Sequence, residues 1–429
     1  MNKEKLAIIG SGVAGMACAY LLQDAFDVTV IEKQDRLGGH TNTRLAQSEA
    51  GEVSEVSIDT GFMVFNKVTY PNLIKLFRKL NIDSIPTDMS FSVNHLPENI
   101  EWNGAGLNKL FAQRENIFRP RYWQFLRELD RFNKLATTAA QDNTFEGLSV
   151  QHFMHEAQFS NDFLHWYLIP MSGAIWSTAA NDLLDFPIQM LMRFFYNHGF
   201  LGLHTHHQWY TVKNGASSYM KKIRQNFNGQ MITGSGVQTI TYDNTATKAA
   251  SITLDSDEVL HFDRAILAAH ADESLAMLSS PSSLEQELLR PFQYQYNHTL
   301  LHTDARVMPK RKRAWASWNY RIADSQKPAT THYWMNNLQH IHTQTQFFVS
   351  LNAEHEIDSQ KVIEQIDYHH PVYTLEALRA QQRLPELNTQ PERPKLHFCG
   401  SYFKYGFHED ALSSAIAVCE QLLGRRGVL

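Results

Sequence analysis

Three glycines near the N-terminus have a spacing that can bind an anion. Gly10, Gly12 and Gly15 follow a short apolar run and open a helix, with Ser11 and Ala14 between them. In such a turn the first glycine permits the tight bend from strand to helix, the second lets a pyrophosphate approach the backbone, and the third lets the helix pack closely on the strand. The helix N-terminus adds unpaired N–H groups and positive dipole charge. The sequence therefore predicts a phosphate-binding loop.

A carboxylate follows at the distance expected for ribose recognition. Glu32 ends a second apolar run about twenty residues after the glycines, where an acidic side chain can accept hydrogen bonds from ribose hydroxyls. The residues that come next are Lys33, Arg36, Gly38, Gly39, His40 and Thr41. This stretch resembles the extended fingerprint of two-domain flavoenzymes, in which the arginine and the glycine pair embrace FAD. We therefore expect these residues to contact FAD, because NAD dehydrogenases lack the second motif.

Length and composition bound the class of protein. The chain has 429 residues, of which 43% are hydrophobic, and this predicts two domains with large cores. The net charge of −5 and the pI near 6.5 argue against a general nucleic-acid-binding surface, which would be strongly basic. The three scattered cysteines, Cys18, Cys399 and Cys419, are too few for a disulfide framework and favour a reducing cytoplasm.

The apolar segments predict neither a secretion signal nor a membrane span. Residues 6–22 superficially resemble a signal peptide, but their glycine spacing and the charged second strand fit a nucleotide-binding fold better. The best membrane-span candidate, residues 188–203, is interrupted by Arg193, Asn197 and His198. A transmembrane helix would need about 20 predominantly apolar residues.

Hydrophobic periodicity alternates between helix-like and sheet-like regions. Apolar residues recur at helical spacing over residues 70–81 and 121–137, whereas short strand-like runs occupy residues 231–269. Residues 167–203 are dense in aromatic side chains and methionine, which suits either a core or an apolar pocket. We predict an α/β protein: an FAD-binding Rossmann-like domain with an inserted α+β substrate domain of mixed sheet and helices. The expected pieces are 1–70, 205–275 and 393–429 for the FAD domain and 71–204 and 276–392 for the substrate domain.

Several later segments resemble the flavin-containing amine oxidase and phytoene desaturase superfamily, over nearly the whole chain. Residues 58–61, with Gly61 followed by Phe62 and Met63, are similar to its Asp-x-Gly segment beside the isoalloxazine ring, although the same pattern also fits an ordinary turn. Residues 209–220 are similar to the segment that precedes the second FAD piece. The resemblance places Val237 against adenine and His270 at the end of an FAD-contacting strand, and it implies the GR2-type of Rossmann-like fold.

The C-terminal residues resemble the closing motif of the superfamily, in which a helix N-terminus points at the flavin. The FAD contacts that this implies are Gly400, Ser401, Glu409, Asp410 and Ala411. Two positions depart from the pattern. His40 stands where a second arginine commonly follows the glycine pair. Ser401 stands where an acidic residue usually binds the ribityl chain, so Glu409 or Asp410 is expected to take over part of that contact.

A narrower resemblance suggests the substrate. Residues 314–320, 333–336 and 406–410 look like a bacterial group often encoded beside cyclopropane-fatty-acid synthases. It implies an FAD-dependent oxidoreductase that takes a hydride from a largely apolar substrate, a methylated or cyclopropane acyl chain, onto flavin N5, with the electron acceptor left open. The residues expected to act on the substrate are Phe407 against the flavin, His408 as acid or base, and Trp318, Tyr320 and Trp334 around the substrate cavity.

Two other functions compete with this interpretation. An amine oxidase would use the aromatic side chains as a cage for an amine, but the lysine that amine oxidases place after the FAD-contacting strand is missing from residues 271–283. A lipid-binding escort protein could share the fold without using a flavin. The set Glu32, Arg36, Gly38 and Gly39 argues against it, because a chain that had lost FAD would have no use for these residues.

The 21 histidines do not predict a metal site. Two clusters stand out, one at His204, His206 and His207 and one at His369 and His370, but no Cys, Asp or Glu set completes a ligand group. We expect no metal, since a flavin performs redox chemistry without one. His370 precedes the C-terminal motif and is a candidate to line the active site or to tether FAD.

A basic run at residues 310–313 precedes Trp315 and Trp318. It has two interpretations. One is a solvated turn, and the other is a contact with anionic lipid, in which each basic residue near the surface contributes about 1 kcal/mol. We expect a cytoplasmic protein, with peripheral contact at the inner face of the membrane under the second interpretation.

Overall fold

The computed structural model describes residues 3–48, 55–202, 205–246, 248–324 and 327–429. The strands are β1 (Lys5–Ile9), β2 (Asp27–Ile31), β3 (Thr43–Gln47), β4 (Glu55–Asp59), β5 (Phe65–Asn66), β6 (Ser84–Thr87), β7 (Phe91–His95), β8 (Ile100–Asn103), β9 (Trp209–Val212), β10 (Gln230–Ile232), β11 (Val237–Tyr242), β12 (Ala250–Leu254), β13 (Val259–Phe262), β14 (Arg264–Leu267), β15 (Gln293–His302), β16 (Trp318–Ile322), β17 (Thr330–Trp334), β18 (Phe348–Leu351), β19 (Val362–Val372) and β20 (Leu396–Phe398).

The α-helices are α1 (Val13–Leu22), α2 (Pro71–Leu80), α3 (Leu107–Leu110), α4 (Pro120–Asp142), α5 (Val150–Glu156), α6 (Asn161–Phe163), α7 (Ile169–Trp176), α8 (Ile188–Asn197), α9 (Ser217–Gln225), α10 (Ala271–Met277), α11 (Ser283–Leu289), α12 (Met335–Leu338), α13 (Leu375–Gln381) and α14 (His408–Leu423). Short 3₁₀ turns include Arg114–Phe118 and Lys312–Ala314. Within the described ranges, no helix is long and apolar enough to cross a membrane.

A parallel sheet of five strands forms the nucleotide-binding half of the fold. Its order is β10-β2-β1-β14-β20, and every neighbouring pair is parallel. The central strand β1 is buried along four of its five residues, because helices cover both faces of such a sheet and its strands therefore read as continuous apolar runs. The strands come from three separated parts of the chain. The predicted Rossmann-like domain is confirmed.

A mixed sheet of seven strands forms the other half. Its order is β19-β15-β18-β17-β16-β7-β8, with β16 and β7 parallel and the other pairs antiparallel. Helices α4, α7 and α8 belong to the same apolar core, which includes the fully buried Phe125, Phe132, Trp166 and Phe195. The expected α+β unit with a mixed sheet is confirmed.

The last helix, α14, starts at His408, so Glu409 and Asp410 both lie in its first turn. The Asp410 carboxylate accepts hydrogen bonds from the backbone N–H groups of Phe407 at 3.0 Å and Tyr405 at 3.2 Å. A carboxylate in the first turn stabilises a helix N-terminus because it satisfies unpaired donors and meets the positive end of the dipole.

Two glycines allow β1, α1 and the end of β14 to meet at backbone distance. Gly10 has φ +96°, and a Cβ there would lie 2.8 Å from the Ala268 carbonyl oxygen. A Cβ on Gly15 would lie 1.9 Å from the Gly10 carbonyl oxygen. Both contacts are with backbone, which cannot rotate away as a side chain can. The helix therefore packs on the strand only while these positions lack side chains.

Gly15→Ala is predicted to lower the free energy of unfolding of the apoprotein by at least about 2 kcal/mol, because the added methyl forces α1 away from β1. Gly12→Ala is the matched control, since no protein atom lies within 4 Å of its added Cβ. Urea unfolding of the two apoproteins measures the difference. Equal stabilities would show that the helix does not depend on this approach.

Candidate cofactor and substrate site

A cavity of about 680 Å³ lies between the parallel sheet and the mixed sheet. Most of the residues that the sequence singled out line it. These are Gly10, Ser11, Gly12, Ala14, Glu32, Lys33, Arg36, Gly38, Gly39, His40, Gly61, Phe62, Met63, Val237, His270, Trp318, His370, Gly400, Ser401, Phe407, His408 and Ala411. Segments separated by almost 400 residues of chain therefore converge on one space.

The two glycine motifs form a single backbone cradle. Gly38 donates its N–H to the Ser11 carbonyl at 3.0 Å, and a Cβ on Gly39 would lie 3.3 Å from the Gly12 Cα. Arg36 Nη1 donates to the Gly39 carbonyl at 2.8 Å. A Cβ on Gly12 would meet no protein atom within 4 Å. The open space next to Gly12 therefore fits a phosphate group at the N-terminus of α1.

Glu32 is held in place by the first glycine loop. Its carboxylate accepts hydrogen bonds from the Ser11 N–H at 2.9 Å, the Ser11 hydroxyl at 2.6 Å and the Gln34 N–H at 2.9 Å. The side chain also lines the cavity. A carboxylate has about four acceptor sites, so it keeps capacity for a ligand hydroxyl. Its position at the end of β2 fits the predicted ribose contact.

His40 leaves a polar atom without a partner at the cavity. The ring stacks on Tyr368, with 4.9 Å between centroids, and meets the edge of His370 at 5.2 Å. Its Nε2 is buried and has no hydrogen-bond partner among the described residues. Burial lowers the pKa of His40 well below its usual value, and the nearby His370 and His270 lower it further. An unpaired buried nitrogen is what a bound ligand would satisfy, so the residues present fit a dinucleotide.

Four expected FAD contacts do not line the cavity, and each has a partner in the protein. Gly15 packs on Gly10. The Thr41 hydroxyl is 2.6 Å from the Tyr219 hydroxyl. Glu409 accepts from the N–H groups of Asn72 and Leu73, both at 2.9 Å, and so caps α2. Asp410 caps its own helix. The carboxylates of Glu409 and Asp410 both lie in the first turn of α14. There they accept hydrogen bonds from backbone N–H groups and are not available to FAD.

The three predicted substrate residues lie in different environments. Trp318 and Tyr320 share one face of the mixed sheet, but only Trp318 lines the cavity, because Tyr320 is buried beneath α7, in contact with Gly173. Trp334 lies on the far side of the sheet, where it packs edge-on against Trp315 and donates Nε1 to Gln346 at 2.8 Å. Its neighbour Tyr333 lines the cavity instead. Successive side chains of a strand point to opposite faces, so only one of the pair can line the cavity.

Several lining residues were not singled out from the sequence. Among them are Tyr70, Met89, Phe91, Met171, Ile175, Ser177, Tyr294, Tyr333 and Tyr368. The aromatic and methionine stripe at residues 167–203 contained the best signal. This stripe contributes to both the core and the pocket. Phe195 of α8 is buried in the hydrophobic core, whereas Trp176 and Phe194 line the cavity. Nothing in the sequence pointed to Tyr368 except its position next to the His369 and His370 pair.

Burial keeps the two candidate catalytic histidines neutral. It lowers the pKa of His408 to about 3, and the imidazole Nε2 lies 2.9 Å from the Thr41 hydroxyl and 3.0 Å from the Tyr219 hydroxyl. Burial, with His270 and His369 nearby, lowers the pKa of His370 to about 4. Near pH 7 each ring can accept a proton but holds none to give as an acid.

The histidine clusters show no metal geometry in the described ranges. No group of three or more His, Cys, Asp or Glu side chains there could hold a metal ion. His204 lies outside the described residues. His207 Nε2 is 3.0 Å from the Asn197 carbonyl oxygen, and the His369 ring contacts Tyr296 with 5.6 Å between centroids.

Comparison with known families decides the cofactor. The family model of flavin containing amine oxidoreductases matches residues 13–312, well over half of the chain. The chain belongs to this family. It is therefore a member of an FAD-dependent oxidoreductase family, and the dinucleotide of the cradle is FAD. The predicted superfamily and cofactor are confirmed.

Individual relatives agree with the family but match only in part. The chain is 38% identical over 80 residues to a 15-cis-phytoene desaturase of Synechococcus elongatus, which covers 18% of this chain and 15% of that protein. The matched segments span 14 to 19% of the length of the curated relatives. A shared segment of this size supports the family and leaves the substrate open.

Two solved structures show the same fold over the whole chain. A putrescine oxidase bound to putrescine superposes with a TM-score of 0.67 at 13% identity, covering 99% of each chain. A fatty acid isomerase from P. acnes that produces CLA superposes with a TM-score of 0.63 at 14% identity, again covering 99% of each. Proteins named for an amine and for a fatty acid thus share one architecture.

Glu32→Gln is predicted to weaken FAD binding at least tenfold, because a charge-assisted hydrogen bond contributes about 1.5–3 kcal/mol. Ser11→Ala is the control, since it removes the 2.6 Å hydroxyl contact to Glu32 but keeps the carboxylate. The measurement is FAD titration of the apoproteins together with their melting temperatures. A large loss of stability at unchanged FAD affinity would show that Glu32 serves only to hold the loop.

Asp410→Asn is predicted to gain stability relative to the wild type as the pH rises from about 4 to about 7. Burial raises the pKa of Asp410 to about 7 and outweighs the hydrogen bonds from Phe407 and Tyr405, which lower it. The unfolded side chain ionises at about 3.9. Over that window the unfolded state releases a proton that the folded state keeps, so the group increasingly destabilises the fold. Asparagine keeps an acceptor oxygen for the two N–H groups and does not titrate.

Urea unfolding of wild type and Asp410→Asn at pH 4.5 and 7.5 measures this shift. Val68→Asn at an exposed side chain is the control, and its difference from the wild type should stay constant because neither side chain titrates. A constant difference for Asp410→Asn as well would contradict the assignment.

Proposed function

We propose that this protein is an FAD-dependent oxidoreductase that acts on a methylated or cyclopropane fatty acyl chain. When bound, FAD supplies the redox chemistry, because its N5 accepts a hydride from the substrate carbon. The protein supplies the binding surface, the orientation of the chain and the exclusion of water. The observation that carries the proposal is the character of the cavity wall beyond the dinucleotide cradle.

That wall is apolar and aromatic. It is built by Met89, Phe91, Met171, Ile175, Trp176, Phe194, Phe200, Trp209, Trp318, Tyr333 and Leu351. Each buried CH₂ contributes about 0.8 kcal/mol, so six to eight methylenes of an acyl chain would gain about 5–6 kcal/mol. Such a chain needs no charged anchor. Desolvation of the site also strengthens electrostatic interactions with the flavin.

The described carboxylates at the cavity are all engaged by the protein. Glu32 is bound by Ser11, Glu273 pairs with Lys33 at 2.5 Å, and Asp367 accepts from the Tyr296 hydroxyl at 2.7 Å. A protonated amine in a dry site needs a carboxylate or an aromatic cage as its partner. Glu32 keeps acceptor capacity only for the predicted ribose contact, so the cavity favours a neutral substrate over a cationic one.

When an alkyl carbon gives up a hydride, the adjacent carbon must lose a proton to form a double bond, and a neutral histidine at the cavity can accept that proton. His370 lines the cavity, and Asn297 Nδ2 donates to its Nδ1 at 2.9 Å, which orients the ring. His408 stacks on Phe62 with 3.7 Å between centroids. We assign His370 as the candidate proton acceptor. We assign His408 and Phe407 a packing role: they form the part of the cavity wall at the start of α14.

The compared proteins include both apolar and amine substrates in their names, and the character of the cavity wall favours the acyl chain. The matched desaturase is named for phytoene, and one solved structure is of a fatty acid isomerase. The putrescine oxidase likeness, at 13% identity, favours an amine oxidase as the alternative, for which the aromatic wall would form the cage. The committed carboxylates favour the acyl chain.

The two classes are separated by anaerobic mixing of the yellow protein with each substrate. Phospholipids that carry methylated or cyclopropane acyl chains should bleach the flavin absorbance. Putrescine and primary amines should leave it unchanged. Rapid bleaching by amines, with lipids inert, would establish the amine oxidase alternative and contradict the proposal.

A variant with an added carboxylate sharpens the comparison. Ile175→Asp puts a charge into the apolar wall and should slow bleaching by acyl lipids at least tenfold, because the carboxylate must be desolvated when the chain binds. Ile363→Asp is the control, since Ile363 is 40% exposed and does not line the cavity. An unchanged rate in Ile175→Asp would show that the chain binds elsewhere.

A further inference from the structure

Exposed apolar side chains concentrate on one surface segment. Ten large hydrophobic residues of the described chain are exposed, and four of them lie within residues 107–123. Phe118 is 86% exposed, Leu107 69%, Trp123 44% and Ile117 42%. A large apolar side chain that is almost wholly exposed loses most of its burial energy. Contiguous exposed apolar patches on a protein surface commonly mark a binding site.

The four residues belong to one surface segment, residues 107–123, which we call the apolar tip. Trp123 Nε1 donates to the Ile117 carbonyl at 2.9 Å, and its ring lies 5.3 Å from that of Phe111. Arg114 hydrogen-bonds the backbone and side chain of Asn108. These contacts hold α3, the 3₁₀ turn Arg114–Phe118 and the start of α4 together.

The basic run found in the sequence lies beside the apolar tip. Arg311 pairs with Glu101 at 3.0 Å and with Glu115 of the tip at 3.4 Å. Asn103 donates to the Trp315 carbonyl at 2.9 Å, which fastens the following residues to β8. The basic run is therefore part of the same face of the molecule as the tip.

This face is strongly positive in a chain of net negative charge. Residues 107–123 and 310–315 contain eight lysines or arginines and one glutamate, and three further carboxylates pair with them, those of Glu98, Glu101 and Asp162. Eight positive charges therefore face four negative ones, whereas the whole chain carries −5. Six of the eight cations form no ion pair with any described residue: Lys109, Arg114, Arg119, Lys310, Lys312 and Arg313. Exposed aromatic groups flanked by unpaired cations match the chemistry of an anionic lipid surface.

The apolar tip packs against an aromatic cluster that extends to the cavity. Ring contacts lead from Phe111 to Tyr122 at 5.6 Å, to Phe125 at 5.6 Å, to Trp102 at 6.0 Å and to Phe91 at 5.9 Å. Phe91 lines the cavity. The surface and the cavity wall are thus two ends of one packed cluster.

We propose that the apolar tip and the basic residues 310–313 form a docking surface for an anionic phospholipid bilayer. Phe118, Leu107 and Trp123 insert among the acyl chains near the headgroups, and the unpaired cations bind lipid phosphates. The inference is independent of the reaction assigned above, although docking at a bilayer would place the cavity beside an acyl substrate.

Vesicle binding by the holoprotein tests the proposal. The protein is sedimented with vesicles of straight-chain phosphatidylglycerol and phosphatidylcholine, or of phosphatidylcholine alone. We expect at least tenfold stronger binding to the anionic vesicles, and weaker binding as salt is added. These lipids carry no methylated or cyclopropane chain, so the result does not depend on turnover.

Two variants and two matched controls locate the contact. Phe118→Asp should lower binding to anionic vesicles at least tenfold, because a carboxylate cannot insert among acyl chains. The double variant Lys312→Glu/Arg313→Glu should also lower it at least tenfold, since each basic residue contributes about fivefold. Val68→Asp, at a side chain that is 63% exposed and outside this face, and Lys221→Glu/Lys222→Glu should bind as the wild type does. FAD content and melting temperature verify that every variant is folded.

Three results would overturn the proposal. The first is a wild type that binds anionic vesicles no better than neutral ones. The second is a Phe118→Asp variant that binds anionic vesicles as well as the wild type does. The third is a dimer, seen by sedimentation velocity, that does not bind vesicles and dissociates in Phe118→Asp, because the tip would then be an interface between two copies of the chain.

Discussion

The close approach of two glycine loops is the contact on which the rest of the structure depends. Gly15 lets α1 reach β1, and Gly38 and Gly39 then lie against the Ser11 and Gly12 backbone. Because the contact is between backbone atoms, it leaves the N-terminus of α1 open to a phosphate and provides N–H groups that no side chain blocks. Glu32 is hydrogen-bonded to the first of these loops, which holds its carboxylate in place at the other end of the cradle.

The division between the two halves of the cavity follows from this cradle. At the polar end, Lys33 forms an ion pair with Glu273, and Glu32 accepts hydrogen bonds from Ser11. The other end is built from the mixed sheet, α7 and α8, which share a large aromatic core. Fold alone does not choose a substrate. The absence of an uncommitted described carboxylate at the apolar wall is what favours an acyl chain over an amine.

Local motifs were readable from the sequence because each depends on backbone geometry within a few residues. The turn at Gly10 and the ribose position of Glu32 are of this kind. Trp334 and Glu409 were assigned cavity or cofactor roles that depend on distant partners. Which of Tyr333 and Trp334 faces the cavity is set by the phase of β17 in its sheet. Glu409 is taken by the N-terminus of α2, more than 300 residues earlier.

We conclude that this cradle binds one FAD. The most direct measurement is the visible spectrum of the purified protein, followed by chromatographic identification of the flavin released on denaturation. We predict a yellow protein that releases one FAD per chain. Release of FMN or of a nicotinamide dinucleotide, or a colourless protein that takes up no added FAD, would contradict it.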